Sequence, residues 1–183
     1  MYYNNRAASQ NLLKEDKMKI EIRKMTREDI IPVCKADDDM SDDFVEYLEF
    51  QLKNQDKGEC IALIALCDGE VAGHVYLYYN CRWGGCKNQG LPSIVDLNVF
   101  DNYRRNGVAS QLLDAAESIA KKYATKVYLD VGVNRNYGAA QILYIKRGYI
   151  PDGNGVYFQQ NICQVNEPYI NNGELTLCLI KEL

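Results

Sequence analysis

The chain has 183 residues, 47% of them apolar, and carries 21 Lys and Arg against 25 Asp and Glu, a formal net charge of −4. That length builds one domain around one core, and the acidic balance, with a pI near 5.1, argues against a nucleic-acid binder, which shows a basic excess. No apolar run is long enough for a membrane span or a secretory segment, and seven cysteines without framework spacing make the reducing cytoplasm the expected compartment.

Residues 1–17 are polar and aperiodic and read as a flexible extension, which leaves 18–183 as the folded domain. Lys19 to Met25 alternates as a strand, with Ile20 and Ile22 on one face. Thr26, with Asp29 three residues on, marks a helix start running toward Lys35. Ser41-Asp42-Asp43 caps a second helix, in which Phe44, Tyr47, Leu48 and Leu52 recur at helical spacing. Cys60–Cys67 and Val71–Asn80 are strands around Asp68-Gly69, a two-residue hairpin signal. Residues 81–92 are glycine-rich and polar and read as an exposed loop. Cys81 and Cys86 flank Arg82-Trp83-Gly84-Gly85 within it. With a single His in the chain and no second close Cys pair, a plain loop is expected there, and no metal.

Ile94–Val99 is the next strand. The helix after Gly107 puts Val108, Leu112, Ala116, Ile119, Ala120 and Tyr123 on one stripe, with Asp114, Glu117, Lys121 and Lys122 opposite. Val127, Leu129, Val131 and Val133 alternate as an interior strand. A helix from about Tyr137 to Arg147 stops at Gly148, and Tyr149-Ile150 starts another strand. Asp152-Gly153-Asn154-Gly155 reads as a turn, and Leu175, Leu177 and Leu179 make the last strand. The sum is an α/β fold, a mixed sheet with helices on its faces.

The stretch from Ile94 to Tyr123 carries the chemistry. A strand empties through Arg104-Arg105-Asn106-Gly107-Val108-Ala109 into a helix N-terminus. There the first backbone N–H groups lack intrahelical partners and the aligned peptide dipoles favour an anion. Gly107 permits close approach, and the two arginines offer forked donors to phosphate oxygens. A P-loop needs Gly-Lys-Ser/Thr entering the helix, and a dinucleotide site needs three spaced glycines; neither pattern is present. The plainer alternative is a turn with solvated arginines and no ligand.

Two motifs resemble the GNAT superfamily of acetyl-CoA-dependent N-acetyltransferases over residues 18–183. One is the strand end Asp96-Leu97-Asn98-Val99 followed by Arg104-x-x-Gly107-x-Ala109. The other is Asn136, Ala139-Ala140, Leu143-Tyr144 and Lys146-Arg147-Gly148-Tyr149. Asn136 stands four residues before Ala140, where the family's common form has three. The resemblance implies a GNAT acyl-CoA N-acyltransferase fold, a mostly antiparallel twisted sheet with a splayed parallel strand pair. It further implies direct transfer of an acetyl group from acetyl-CoA to a primary amine in a ternary complex.

By the same resemblance, Arg104, Arg105, Asn106, Gly107, Val108, Ala109 and Ser110 wrap the pyrophosphate of coenzyme A. Leu97, Asn98 and Val99 pair with its pantetheine arm and polarise the thioester carbonyl. Tyr144 is the general acid for the departing thiolate, and Asn136 contacts the pantetheine or orders a water. From the residues alone, Tyr144 also reads as a core tyrosine and Asn136 as a helix cap. The base is less defined. Asp96 is a candidate base or substrate anchor, with a structural ion pair as its alternative. His74, the only His, has a suitable unperturbed pKa but is equally a structural strand residue. The first two helices and their loop form part of the acceptor wall in this family. Here that loop holds five carboxylates in residues 37–43, which attract a cationic amine or merely solvate a cap. Final strands often mediate dimers in this family, so a homodimer is an option. A coenzyme-A-binding regulatory module without catalysis is the other functional reading.

Overall fold

Alternating apolar residues sort this chain into a sheet with two different greasy faces. The computed structural model describes residues 18–183, so the extension read over 1–17 lies outside the described residues. The strands are β1 (Ile20–Lys24), β2 (Cys60–Cys67), β3 (Glu70–Tyr78), β4 (Ser93–Val99), β5 (Lys126–Gly132), β6 (Ile150–Phe158), β7 (Asn161–Ile162) and β8 (Leu175–Glu182). The helices are α1 (Ile30–Ala36), α2 (Asp42–Asp56), α3 (Val108–Ala120) and α4 (Gly138–Lys146). All strands join one sheet in the order β1-β2-β3-β4-β5-β8-β6-β7. Every neighbouring pair is antiparallel except β4 and β5, which are parallel and meet at a single rung, Ser93 opposite Tyr128.

The side-chain period of two divides each strand between two cores. Leu63, Ala65, Val127, Leu129 and Val131 pack on the face covered by α3, with Leu112, Leu113 and Ala116 against them. Ile64, Tyr76, Tyr78, Tyr128 and Cys178 face the other way, onto Val33 of α1 and Leu48 and Leu52 of α2. Full burial of each large aliphatic side chain stabilises the fold by about 1.5–3 kcal/mol. The β2–β3 turn has Asp68 and Gly69 both left-handed, at φ 50° and 92°. That geometry matches the twist of a tight hairpin.

Several expectations are revised. Residues 81–92 form a loop that is only partly exposed: Arg82 and residues 88–90 are exposed, while Cys81, Gly84 and Cys86 are buried. The reason is Gly84-Gly85: a Cβ on Gly84 would collide with the Asp130 carboxylate, and one on Gly85 with Cys178. The absence of side chains lets this segment lie flat on β5 and β8. Residues 152–155 do not reverse the chain either. They bulge from β6 while Pro151 pairs with Leu179 and Val156 with Leu177. The apolar residues on both sides of the bulge stay bonded to β8, which holds one strand through it. Tyr123 falls beyond α3 and is 59% exposed, its ring edge-on to Tyr79 at 5.3 Å. The sequence reading also left out β7. Finally, β8 is paired on both edges, so its apolar run is accounted for inside the sheet.

Glu117, read from sequence as part of the polar stripe, is buried and fastens α3 to the sheet. It accepts from Arg147 Nη2 at 2.9 Å, Lys181 Nζ at 2.5 Å and the Tyr149 hydroxyl at 3.0 Å. Arg147 also reaches Asp114 at 2.6 Å. Glu117→Gln keeps the shape but leaves two half-buried cations facing a neutral amide. The expected loss is about 2 kcal/mol, within the range for hydrogen bonds to charged groups, read as a lower urea midpoint with an unchanged slope.

Candidate active site

The single β4–β5 rung creates the site. Beyond Ser93 and Tyr128 the two strands part, and from Ile94 onward β4 has no strand partner on its β5 side among the described residues. A bulge sharpens the opening. His74 pairs with Asn98 and Tyr76 with Val95, so Asp96 and Leu97 together face Val75, and Asp96 takes φ 49°. Such a bulge re-aims side chains and strengthens local twist. A cleft of about 350 Å³ fills the gap, bounded by Asp96, Leu97 and Asn98 of β4, Asp130 and Val131 of β5, and Ala140 and Tyr144 of α4. Phe44 and Tyr47 of α2, Asp37, Tyr137 and His74 complete its walls. A wider depression of about 670 Å³ lies between α1 and residues 100–104. It contains neither Tyr144 nor the open face of the splay, which both belong to the smaller cleft.

Tyr144 lies at the base of the cleft, 7% exposed, its ring edge-on to Tyr149 at 5.8 Å. Its hydroxyl has no hydrogen-bond partner among the described residues. Burial, and then the Asp96 charge, push the phenol up to about 12. It therefore remains a proton donor throughout the physiological range. Asp96 is exposed and accepts a hydrogen bond from the Tyr47 hydroxyl. Burial first, then Asp96, raise the pKa of Tyr47, so that phenol stays protonated as well.

His74 also faces the cleft. It is 3% exposed, and its Nδ1 has no partner among the described residues. Burial pushes it down to about 4 against the opposing charge of Asp96. It is neutral at pH 7.

The glycine-containing turn takes shape at the start of α3. Arg105 and Gly107 are left-handed, at φ 64° and 87°, and α3 has no side-chain cap. The N–H groups of its first turn are therefore open to a ligand. Open space surrounds the position of a Gly107 Cβ. The arginines divide their roles. Arg104 turns back, its Nε to the Val99 carbonyl at 2.9 Å and its Nη1 to Asp101 at 2.8 Å. Arg105 makes no ion pair among the described residues and is exposed. Asn106 is tied to the Arg104 carbonyl at 3.3 Å.

Asn136 sits apart from this constellation. It is exposed, on a one-turn helix before α4, and its N–H donates to Asn134 Oδ1 at 3.0 Å. The capping role belongs to Asn134, and the neighbouring Tyr137 lines the cleft with its ring packed on Gly132.

Sequence reading missed Tyr47, Tyr137 and Asp130. Asp130 appeared only as a gap in an apolar alternation, which is a usable signal: a lone carboxylate at an interior strand position requires a partner. Its oxygens accept from Gly85 N–H at 3.1 Å each. Burial raises its pKa, with the Gly85 N–H opposing. The same segment is held by the Tyr128 hydroxyl on the Trp83 carbonyl at 2.7 Å. Cys86 and Cys178 touch, with sulfurs 3.0 Å apart, and Asp152 brings a carboxylate within 4.8 Å of both. Burial raises the pKa of both thiols. Cys81 is not part of this contact.

Residues 23–149 match the family model described as Acetyltransferase (GNAT) family. An N-alpha-acetyltransferase of Saccharolobus solfataricus is 32% identical over 110 residues, 51% of this chain and 64% of that protein. A second, from Sulfurisphaera tokodaii, is matched over 62% of its length, so the chain spans less than two thirds of both relatives. Among solved structures, the ribosomal-protein-alanine N-acetyltransferase of Brucella melitensis aligns with a TM-score of 0.65 at 17% identity, covering 89% of this chain and 99% of that one. The PaiA N-acetyltransferase of Thermoplasma acidophilum, in complex with coenzyme A, aligns at 0.61 and 18% identity, covering 91% and 100%. At such identities the likeness is one of fold. No described helix is long and apolar enough to cross a membrane.

Proposed function

The chain belongs to the acetyltransferase (GNAT) family, and from that premise we propose that it transfers the acetyl group of acetyl-CoA to a primary amine. The observation that carries this reading is the Tyr144 hydroxyl, unpartnered among the described residues, in a cleft where β4 offers an open backbone edge. The residues fit coenzyme A. The uncapped start of α3, from Arg104 to Ser110, suits its pyrophosphate, and Arg105 is free to add a charge-assisted contact. The unpaired edge of β4 at Leu97–Val99 suits the amides of the pantetheine arm, in the manner of an added strand.

When bound, acetyl-CoA supplies an activated acyl group on sulfur. A backbone N–H of the open β4 edge stabilises the charge that develops on the carbonyl oxygen. Asp96, at the bulge, accepts the proton that the amine must lose. Tyr144 gives a proton to sulfur as the C–S bond breaks and the C–N bond forms. Asn136 enters only if its turn shifts toward the pantetheine.

The test is thiol release from acetyl-CoA across a panel of small amines and peptide N-termini, the latter because the curated relatives are named N-alpha-acetyltransferases. Amine-dependent, stoichiometric release is expected. Tight coenzyme A binding without turnover on any amine would favour the non-catalytic module instead.

A further inference from the structure

The cleft carries a charge that nothing in its lining balances. Asp37, Asp96 and Asp130 face it, and no Lys or Arg lines it among the described residues. Its one imidazole, His74, is neutral at pH 7. Elsewhere the fold matches partly buried carboxylates with cations. Asp29 meets Arg23 at 2.6 Å, and Glu117 meets Arg147 at 2.9 Å and Lys181 at 2.5 Å. Among the described residues, the three cleft carboxylates have only neutral partners. Asp37 accepts from Asn98 Nδ2 at 3.3 Å, Asp96 from the Tyr47 hydroxyl and Asp130 from Gly85 N–H.

Their placement is informative. Asp96 and Asp130 stand on the two strands that part, one on each side of the gap, and Asp37 is tethered over the β4 side. His74 adds an independent sign of a ligand. It is 3% exposed, and its unpartnered Nδ1 belongs to a ring that lines this same cleft. A polar group on a bound molecule is the partner that this nitrogen lacks.

An acceptor must lose the charge on its reacting nitrogen before it attacks. With Asp96 taking the proton, a singly charged amine would therefore leave Asp37 and Asp130 without a cation at the moment of transfer. The aromatic walls, Phe44, Tyr47 and Tyr137, suit a methylene chain and a second ammonium over a ring face. The volume, about 350 Å³, suits a small molecule.

We infer that the acceptor is a linear di- or triamine, with Asp130 and Asp37 forming a cation subsite for the ammonium that does not react. This rests on the acetyl-transfer reading. One terminal nitrogen forms the amide bond as the thioester C–S bond breaks. Its proton goes to Asp96, and the sulfur takes a proton from Tyr144.

The experiment measures kcat/KM by thiol release for 1,4-diaminobutane and spermidine against two controls. One is the singly charged n-butylamine, of the same chain length, and the other a peptide with a free N-terminal alanine. The diamine is expected to exceed butylamine by at least about tenfold, the factor that 1.4 kcal/mol of differential binding provides. Asp130→Asn retains an acceptor for Gly85 N–H but removes the charge. In this variant the diamine-to-monoamine ratio is expected to fall toward one, through a higher KM for the diamine. A wild-type ratio near one, or a preference for the peptide, overturns the inference and leaves acetyl transfer standing. No thiol release with any amine overturns both.

Discussion

Tyr144→Phe is expected to lower kcat by about 10²–10³-fold while the KM for acetyl-CoA changes less than about threefold. The substitution removes one oxygen from a side chain that is 7% exposed and otherwise packed by its ring against Tyr149. Phe fills the same space, so the core face of α4 is preserved and stability should barely move. The two classes of effect therefore separate. A core role predicts a small stability change with normal turnover, and an acid role predicts normal stability with lost turnover. Burial and the nearby Asp96 charge hold the phenol up at about 12, so the wild-type kcat should show no alkaline limb from Tyr144 across the neutral range. Steady-state kinetics of thiol release, paired with urea unfolding, decide the matter. A kcat within a factor of three of wild type would return Tyr144 to the core.

Gly107→Glu is expected to weaken coenzyme A binding about 100-fold by calorimetry, equivalent to about 2.7 kcal/mol. Gly107 has φ 87°, where a side chain is strained by roughly 1 kcal/mol. Open space around it means no further collision. A carboxylate at a helix N-terminus is itself favourable to the helix, so the fold loses little. The same carboxylate occupies the place proposed for the pyrophosphate and repels it. Gly107→Asn separates backbone strain from charge, because Asn tolerates the left-handed region; it should lose several-fold less affinity than Glu. Equal affinities for the Glu variant and the wild type would move the phosphate site elsewhere.

Much of this architecture was legible because local periodicity and burial agreed. Val127, Leu129 and Val131 alternate, and they are buried on one face of β5. Leu112 and Ala116 recur at helical spacing, and they meet that face. Asp68-Gly69 predicted its hairpin through the backbone conformation those residues favour. Where local signals and long-range pairing disagreed, pairing won. Residues 152–155 carry every mark of a turn, yet the strand runs through them because both flanks bond to β8. Residues 81–92 look solvated, yet Gly84-Gly85 is a docking surface whose partners, Asp130 and Cys178, lie far along the chain.

The site divides in the same way. Arg104 to Ala109 and the residues around Tyr144 are contiguous, so a glycine-containing turn suited to an anion could be read directly, while the acid role of Tyr144 is implied only by the family resemblance. The cleft beside Tyr144 is assembled from α2, β3, β4, β5 and the residues after α1, which no window of sequence brings together. The bulge at Asp96 and the early parting of β4 from β5 are products of pairing registers, and register is a property of two strands at once. The sequence by itself therefore determined the fold class, because it is written in short-range periodicity. The tertiary structure alone decided that three carboxylates and an unpartnered imidazole share one cleft with no cation among its lining residues, because charge balance depends on distance in space.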